Sequence, residues 1–569
     1  MRRETALDAH LTVYTPSNAG RIFSRCFSSE VPLPMAPRTR RALFSATLFL
    51  TTCAILGSVI NQKVAAQSAS DESTLRDSLH SFTNVYSVVE QNYAEPLTGD
   101  KTDKAIYDGA IPGMLHVLDP HSNFYDPKSY AQMREDQHGK YYGVGMSIQP
   151  QLIGSVMKIV VLTPFEGTPS YKAGIRPGDI IVSVDGKATE GMDSAAVATL
   201  LKGPKGTHVA VAMDREGSSK PLVFDLIRDE IPRNSVDLAF LVRPGIGYIH
   251  VTSFMETTSR EVGDALDKFG DIKGLVIDLR GNPGGLLNEA VNMSDKFLQK
   301  GQIVVSQKGR AFPDQVYRAT HGEEGPKYPI VVLVNRNTAS AAEIVSGALQ
   351  DHDRALIVGE TTFGKGLVQT VFQVSENTGL ALTTYHYYTP SGRLIQRNYS
   401  NISLYDYYYL RDGVEKGANR EVKLTDSGRT VYGGGGITPD ETIDTPKPNQ
   451  FEDSLLQHYA FFNFSKHYLA SHTVAKDFQV DDAVLAQFKD FLKSKSIDYT
   501  DADISGVQDW VKMSIKSELF TSQFGQLEGL KIRADWDPEI SKAVTFVPEA
   551  QALADHTKNN NVKTASLSH

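Results

Sequence analysis

Cysteine is nearly absent from the sequence. The 569 residues include 2 cysteines, Cys26 and Cys53, and both precede a candidate signal-peptide cleavage site at Val64-Ala65-Ala66. A chain cut at that site would contain no thiol and no disulfide. For such a chain, catalysis by cysteine and zinc sites built from thiolates are both excluded.

Basic segments are also scarce. No long basic run follows residue 41, and the formal net charge is −9, so we expect no nucleic-acid partner. The hydrophobic fraction of 41% and the charged fraction of 22% are ordinary for globular proteins. These values argue against wholesale disorder and against a membrane protein with many spans. A chain of this length is expected to form roughly three or four domains.

A long uncharged segment runs from Ala42 to Ile60, directly after a cluster that contains Arg38, Arg40 and Arg41. An apolar segment behind basic residues is typical of an export signal or a membrane anchor. The positive-inside rule then puts the rest of the chain outside the cytosol, in the periplasm or on the outer face of the inner membrane. Cleavage after Ala66 and retention of the segment as an anchor both remain open.

The start of translation and the export route are open as well. Met35 stands where a conventional signal peptide would begin, so translation starts either there or at Met1. Arg40-Arg41 loosely resembles a twin-arginine motif, but paired arginines before an apolar core are common in ordinary secretion signals too.

Behind this extension of residues 1–69, the pattern predicts four regions: a helical domain at 70–138, a β-rich domain at 139–230, an α/β core at 231–450 and a helical region at 451–569 with a disordered polar tail. The fold class is therefore mixed α/β, with a layered core and helical ends. The first helix is predicted from an apolar stripe with steps of three and four residues, which consists of Leu75, Leu79, Phe82, Val85, Val89 and Tyr93.

The β-rich region contains two glycine motifs. Gly143-Val144-Gly145-Met146 lies between short strands, and Gly174-Ile175-Arg176-Pro177-Gly178-Asp179-Ile180-Ile181 follows it. Their order and spacing resemble a PDZ domain. In that family the backbone amides of the first motif hold the terminal carboxylate of a peptide that adds to the sheet edge. Taken alone, Gly143 and Gly145 are more simply explained as a hairpin turn, whereas the second motif is more specific.

In the α/β region, Ser340 lies directly after an apolar strand and at the start of a helix, in Thr338-Ala339-Ser340-Ala341-Ala342-Glu343-Ile344. Unpaired amides at a helix start favour negative charge developing beside the hydroxyl, so Ser340 is a candidate nucleophile. A helix cap at Ser340 or Thr338 is the simpler alternative for this motif on its own.

A second motif, Gly364-Lys365-Gly366, follows the apolar strand Leu356-Ile357-Val358. At a pKa near 10.4, only about one lysine in a thousand is neutral at pH 7, so a lysine base must be desolvated. The neighbouring apolar residues offer such surroundings for Lys365, and Gln369 could accept a hydrogen bond from its amine. An ordinary surface lysine is the alternative.

The third motif, Asp278 to Leu287, is a strand followed by a glycine-rich turn and a helix. Exposed amides in such a turn can hold an oxyanion. A phosphate loop is disfavoured because Lys and Ser/Thr do not follow the glycines. A nucleophile of the trypsin-like proteases is excluded here, because Pro283 occupies the position at which those proteases have the nucleophilic serine.

Together these motifs resemble the carboxyl-terminal processing peptidases, also called tail-specific proteases, across about residues 75 to 445. The resemblance also rests on Leu118-Asp119-Pro120-His121-Ser122 and Tyr388-Thr389-Pro390-Ser391-Gly392-Arg393. Thr338 departs mildly from the serine of many members. The resemblance rests on no motif in the region after residue 450.

The resemblance implies an exported serine endopeptidase with nucleophile Ser340, general base Lys365 and supporting Gln369. It implies oxyanion donors at the amides of Ala341 and either Gly284 or Gly285. Protein substrates with free carboxyl ends would bind the PDZ domain, and no metal or organic cofactor would be required. The alternative is a PDZ-bearing binding or chaperone protein with an inactive protease core.

Overall fold

The computed structural model describes residues 74–97, 99–322, 328–400, 402–409, 420–444 and 447–556. The predicted export segment 42–60, both cysteines and the predicted disordered tail lie outside these ranges. Among the described residues, no helix has both the length and the apolar content needed to cross a membrane. The described residues fall into two compact units that divide after Thr102.

The first unit contains helix α1, residues 74–92. The apolar stripe predicted this helix, which ends shortly before Glu95-Pro96. The stripe is exposed in the described part of the unit: Leu79 is 58% accessible and Phe82 is 50% accessible.

The next helical stretch comprises α2 (Asp100–Lys104), a π-helical segment (Ala105–Ala110) and α3 (Ile111–His116). A tight turn follows, in which Asp119 Oδ1 accepts hydrogen bonds from the amides of His121 and Ser122, both at 2.7 Å. Strand β1 (Asn123–Tyr125) and helix α4 (Pro127–His138) complete this part.

A β-rich region comes next, with a core that includes Val161, Val197 and Val209, all fully buried. Its main sheet has the strand order β3-β4-β5-β7-β8, with β6 beside β5, so β3 is an edge strand. The elements are β2 (Lys140–Gly143), β3 (Met146–Ile153), β4 (Val156–Pro164), α5 (Pro169–Lys172), β5 (Ile180–Val184), β6 (Lys187–Ala188), α6 (Ser194–Leu201), β7 (His208–Asp214), β8 (Leu222–Ile227) and β9 (Asp229–Pro232), which pairs with β2.

The α/β region follows with these elements: β10 (Val236–Arg243), β11 (Ile246–Val251), α7 (Thr258–Phe269), β12 (Gly274–Asp278), α8 (Leu287–Asp295), β13 (Ile303–Lys308), β14 (Gln315–Arg318), β15 (Ile330–Val334), α9 (Ala341–Asp351), β16 (Leu356–Gly359), β17 (Leu367–Gln373), β18 (Gly379–Tyr388), α10 (Leu404–Tyr409), β19 (Val422–Leu424), β20 (Thr430–Tyr432) and β21 (Glu441–Thr442). The predicted alternation of strands and helices is present.

Two sheets build the α/β region. The central sheet has the order β10-β11-β12-β15-β16-β21 and is parallel from β11 onward. Its strands β12 and β15 are completely buried and consist mainly of Val, Ile and Leu, as expected for a parallel sheet covered on both faces,. The second sheet has the order β1-β18-β13-β14, with β17 beside β18.

The C-terminal region is helical, as predicted. Its helices are α11 (Gln450–Gln457), α12 (Ala460–Leu469), α13 (Asp482–Ser494), α14 (Asp501–Gly506), α15 (Gln508–Phe524), α16 (Gln526–Trp536), α17 (Pro538–Thr545) and α18 (547–556). Helices α11–α15 surround an aromatic core that includes Phe464 and Phe488. Ala534, Ile540 and Ala543 instead pack against one face of the central sheet. The mixed α/β architecture is thus confirmed, while the predicted domain boundaries stay predictions.

Candidate active site

Ser340 occupies the N-cap position of α9, directly behind the buried strand β15. Its backbone has φ 55° and ψ −116°, a conformation that side-chain-bearing residues seldom adopt,. Such strain costs about 1–3 kcal/mol and clusters at functional sites, where the surrounding structure holds it in place. The structure therefore adds a strained backbone to the predicted helix-start position of Ser340.

The buried carboxylate of Glu343 joins the Ser340 segment to the Lys365 segment. Its Oε2 atom accepts hydrogen bonds from the amides of Ser340 at 2.8 Å and Lys365 at 2.9 Å. Its Oε1 atom accepts from the Gly364 amide at 2.7 Å and from the Thr362 hydroxyl. Burial raises the pKa of Glu343, and these four donors limit the rise. One oxygen thus holds the backbones of both predicted dyad residues.

Lys365 is partly buried and lies two residues after Phe363, a member of a small aromatic cluster. Burial lowers its pKa below the ordinary value of 10.5, although the carboxylates of Glu343 and Asp119 act in the opposite direction. Phe363 and Tyr407 are almost fully buried in the small cluster next to it. A desolvated lysine of this kind has a larger neutral fraction than a surface lysine, as a general base requires.

Glycine is required beside Lys365. A Cβ atom at Gly364, where φ is 86°, would lie 2.9 Å from the Gly436 amide nitrogen and 3.0 Å from the Arg397 Cβ atom. The glycines Gly435 and Gly436 therefore pack directly against the lysine segment.

His121 lies close to Lys365 across the fold. Its Nε2 atom is 3.0 Å from the Tyr407 hydroxyl, and its Nδ1 atom is 3.4 Å from the Tyr408 hydroxyl. Burial, followed by the charge of Lys365, lowers the pKa of His121 to about 3. The imidazole is therefore neutral at physiological pH and engaged by tyrosines on both nitrogens, which fits a structural role beside the lysine.

Gln369 lies on β17 next to a β-bulge between Val368 and Gln369. Its side-chain amide nitrogen donates to the Thr383 hydroxyl at 3.2 Å. Within the described ranges, no hydrogen bond joins Gln369 to Lys365. Its predicted role in orienting the lysine amine stays a prediction.

The glycine-rich turn after β12 abuts Ser340. A Cβ atom at Gly284, where φ is 97°, would lie 2.7 Å from the Ser340 Cβ atom and 2.9 Å from the Ala341 amide nitrogen. The Gly284 amide donates to Asn282 Oδ1 at 2.8 Å and is thus already engaged. The Gly285 amide has no acceptor among the described residues, which leaves it as the candidate to pair with Ala341 as an oxyanion donor.

A cleft of about 630 Å³ opens beside this turn. Its walls come from the residues after the glycine turn and from strands of the second sheet, and they include Leu286, Leu287, Phe312, Val368, Thr370 and Tyr385. The lining mixes these apolar side chains with polar ones, which include Glu256, Glu289 and Gln307. It runs from the residues behind the candidate oxyanion turn to the strand that carries Gln369, so an extended peptide could pass between them.

The candidate tail-binding motif joins β2 to the edge strand β3. Val144 and Met146 are buried in the core of the β-rich region, so their side chains are not available to a ligand. Gly145 has φ 78°, and a Cβ atom there would lie 2.4 Å from the Thr168 Cβ atom. Backbone groups of Gly143–Met146 are therefore the part of this motif that can contact a peptide.

Glu343 and His121 have no role in the site predicted from the sequence. Glu343 lies three residues after Ser340, which is the spacing of a capping box, so this signal was present in the sequence,. His121 belongs to a motif that carried the family resemblance. Its proximity to Lys365 depends on the pairing of β1 with β18, which no local pattern reveals.

Comparisons with known proteins agree on one family. Three family models match: peptidase family S41 at residues 245–402, a PDZ domain at 160–215, and the C-terminal helical domain of a probable PDZ-protease at 451–503. A carboxy-terminal-processing protease of Bartonella bacilliformis is 40% identical over 301 residues, covering 52% of this chain and 68% of that protein.

Two further relatives are similar. The carboxy-terminal processing protease CtpA of Bacillus subtilis is 35% identical over 354 residues, covering 62% of this chain and 72% of that protein. A solved structure of the photosystem II D1 C-terminal processing protease is 32% identical, covers 64% of this chain and 86% of its own, and has a TM-score of 0.33.

Proposed function

Because the chain belongs to the carboxyl-terminal processing peptidases of family S41 and is a serine-type peptidase with a PDZ domain, we propose that it is an exported endopeptidase with a serine–lysine dyad. In this proposal the PDZ domain binds the carboxyl ends of substrates. The observation that carries the dyad is the single Glu343 oxygen that accepts from the amides of both Ser340 and Lys365.

Acylation begins when the neutral Lys365 amine accepts the proton of the Ser340 hydroxyl. The Ser340 oxygen attacks the substrate carbonyl carbon, and the carbonyl oxygen becomes an oxyanion. The amides of Gly285 and Ala341 stabilise this charge by hydrogen bonds that strengthen in the transition state. Protonated Lys365 then donates its proton to the leaving amine nitrogen, and the peptide bond breaks.

Deacylation repeats these steps with water. Lys365 accepts a proton from water, whose oxygen attacks the ester carbonyl of the acyl-enzyme, and the proton returns to the Ser340 oxygen as the ester bond breaks. This scheme needs only the residues of the chain and water, so the proposal includes no metal and no organic cofactor. Gln369 is proposed to orient the lysine amine.

Unfolded proteins offer the direct test of this activity. Incubating the purified protein with an unfolded substrate and sequencing the fragments should reveal internal cleavage, and the Ser340→Ala variant should yield none. Binding of the substrate without cleavage would favour the alternative, a PDZ-bearing binding or chaperone protein with an inactive core.

We expect substrate cleavage to depend on a free carboxyl end. Strand β3 is an edge strand, so a peptide can pair with it while amides of Gly143–Met146 hold its carboxylate. Apolar terminal side chains should be preferred. Converting the carboxylate to an amide removes a charge-assisted hydrogen bond of about 1.5–3 kcal/mol, so kcat/KM should fall roughly ten- to a hundredfold.

The measurement compares one unfolded substrate with a free and with an amidated carboxyl end. Deletion of residues 141–228 is the control, and this variant should cleave both forms at the same low rate. Equal rates for the two forms with the intact protein would show that the PDZ domain does not recognise the terminal carboxylate.

Export is proposed from the segment Ala42–Ile60 and the arginines before it. A reporter fused after Ser70 should be found outside the cytosol, whether translation starts at Met1 or at Met35, because both forms contain the complete segment. Cell fractionation measures this outcome. A reporter that stays in the cytosol with both starts would refute an extracytoplasmic location.

A further inference from the structure

The last helices of the chain share a core with the central sheet. Ile540 and Ala543 of α17 are buried against Val276 of β12 and against Val331 and Leu333 of β15. The glycine-rich turn follows β12 directly, and Ser340 lies behind β15. The start of α17 is therefore attached to the two strands from which the candidate oxyanion turn and the nucleophile extend.

Arg280 joins the start of α17 to this turn. Its guanidinium is paired with Asp278 at the end of β12 at 2.6 Å, with Asp537 at 3.0 Å and with Glu539. The Arg280 side chain is only 16% exposed. Asp278 also accepts a hydrogen bond from the Tyr248 hydroxyl at 2.8 Å. One largely buried arginine is thus held by three carboxylates, two of which come from the C-terminal helices.

Backbone and side-chain hydrogen bonds hold the residues between Arg280 and the oxyanion turn. The Gly281 amide donates to Asn335 Oδ1 at 2.9 Å. The buried Asn282 side chain donates to the Val251 carbonyl at 2.8 Å and accepts from the Gly284 amide at 2.8 Å. The Gly284 carbonyl then accepts from the Phe254 amide at 2.9 Å. The backbone that connects Arg280 to Gly285 is therefore fixed to neighbouring segments at Gly281, Asn282 and Gly284.

We propose that Asp537 and Glu539 are positioning residues for peptide-bond cleavage, because they hold Arg280 and thereby the turn that presents the Gly285 amide to the oxyanion. This inference rests on the proposed function. Asp537 and Glu539 lie beyond residue 503, where the match to the C-terminal helical family model ends. They act through Arg280 and touch neither the substrate nor the reacting atoms.

The test uses the double variant Asp537→Asn/Glu539→Gln in the full chain. Both changes remove a negative charge and keep the side-chain size. Asp537 is also the N-cap of α17, since it accepts from the amides of Glu539 and Ile540, and asparagine caps helices about as well as aspartate. The helix start should therefore survive while Arg280 loses two of its three ionic partners.

Asp535→Asn is the matched control. Asp535 lies in the same segment and pairs with Arg243 of β10 at 2.8 Å, away from the oxyanion turn. The Asp535→Asn variant makes the same aspartate-to-asparagine change in an exposed ion pair, and such pairs typically contribute little to stability. Any general effect of removing negative charge from this segment should appear in the control as well.

For the double variant we expect kcat to fall about ten- to a hundredfold, which is less than the roughly 10²–10³-fold loss for deleting one oxyanion donor. KM should stay within about twofold, because substrate contacts in the cleft and the PDZ domain are unchanged. Amide hydrogen exchange should become faster at Gly281–Leu286 in the double variant and stay unchanged in Asp535→Asn.

A kcat within about twofold of the control, or equal losses in both variants, would overturn the positioning role. If the double variant melts below the assay temperature, Glu539→Gln alone is judged by the same comparison, because it leaves the α17 cap in place. Absence of cleavage by the unaltered protein would count against the proposed function, and hydrogen exchange would still decide whether these carboxylates hold the turn.

Discussion

Replacing Lys365 with alanine is expected to abolish nearly all peptide-bond cleavage, with kcat lowered by roughly 10²- to 10⁴-fold, the range for loss of a general base. The variant should remain folded. Burial lowers the pKa of Lys365 below its ordinary value of 10.5, so the folded state binds this proton less tightly than the unfolded chain does. Below pH 10.5 the native lysine therefore reduces stability, and its removal should not destabilise the protein at neutral pH.

The same lowered pKa predicts the pH profile of the unaltered enzyme. The neutral amine is the active form, so kcat/KM should rise with pH through the lysine pKa and level off below the ordinary value of 10.5,. Lys365→Arg should be as inactive as the alanine variant, because a guanidinium keeps the charge and cannot act as a base. Peptide cleavage assays across pH, with circular dichroism to confirm folding, measure both outcomes.

His121→Gln is the control for the identity of the base. His121 is near Lys365, but tyrosine hydroxyls face both of its ring nitrogens, so its replacement should lower kcat by no more than about tenfold. Both variants should still bind a peptide with a free carboxyl end. Near-normal cleavage by Lys365→Ala, or an inactive His121→Gln beside an active Lys365→Ala, would reject the serine–lysine dyad.

Local patterns predicted the elements that carry the candidate site. The apolar strands that end at Asp278 and Val334, and the helix that begins after Ser340, follow from runs of Val, Ile and Leu and from the small residues behind them. The mixed α/β class follows from the same alternation. These features are determined by residues that are close in the sequence, so local residue patterns predict them well.

Contacts between distant segments were not predictable in this way. Tyr407 belongs to a tyrosine-rich stretch without an assigned role, yet it contacts His121 next to Lys365. The helices after Trp536 were predicted as part of a separate region, but α17 packs on the central sheet. Such contacts depend on strand order and on helix packing across the fold. The periodicity of apolar residues predicts single elements but neither of these arrangements.

Replacing Glu343 with glutamine should lower both stability and activity. The carboxylate accepts four hydrogen bonds, from the amides of Ser340, Gly364 and Lys365 and from the Thr362 hydroxyl. The glutamine side chain has only one oxygen that can accept hydrogen bonds. Its NH₂ group would stand where the second carboxylate oxygen was and would face two of the donors. Buried donors left unpaired cost about 1–3 kcal/mol each, so two of them should lower the free energy of unfolding by about 2–6 kcal/mol.

The activity should also fall, because the substitution changes the positions of Ser340 and Lys365 relative to each other. The Ser340 and Lys365 backbones share one Glu343 oxygen, and a misplacement of about 1 Å between reacting groups costs roughly 10²-fold in rate. We therefore expect kcat to drop about 10²-fold with little change in KM, measured well below the melting temperature so that the variant is fully folded.

Glu360→Gln is the matched control for this change, because Glu360 precedes the same lysine segment but forms a long surface pair with Arg336 at 3.4 Å. It should change stability by no more than about 0.5 kcal/mol and leave kcat near normal. A destabilised Glu343→Gln variant that keeps full kcat when folded would mean that Glu343 only stabilises the protein. A loss of kcat that persists in the folded variant, and is absent from Glu360→Gln, would identify the buried carboxylate as the group that holds nucleophile and base together.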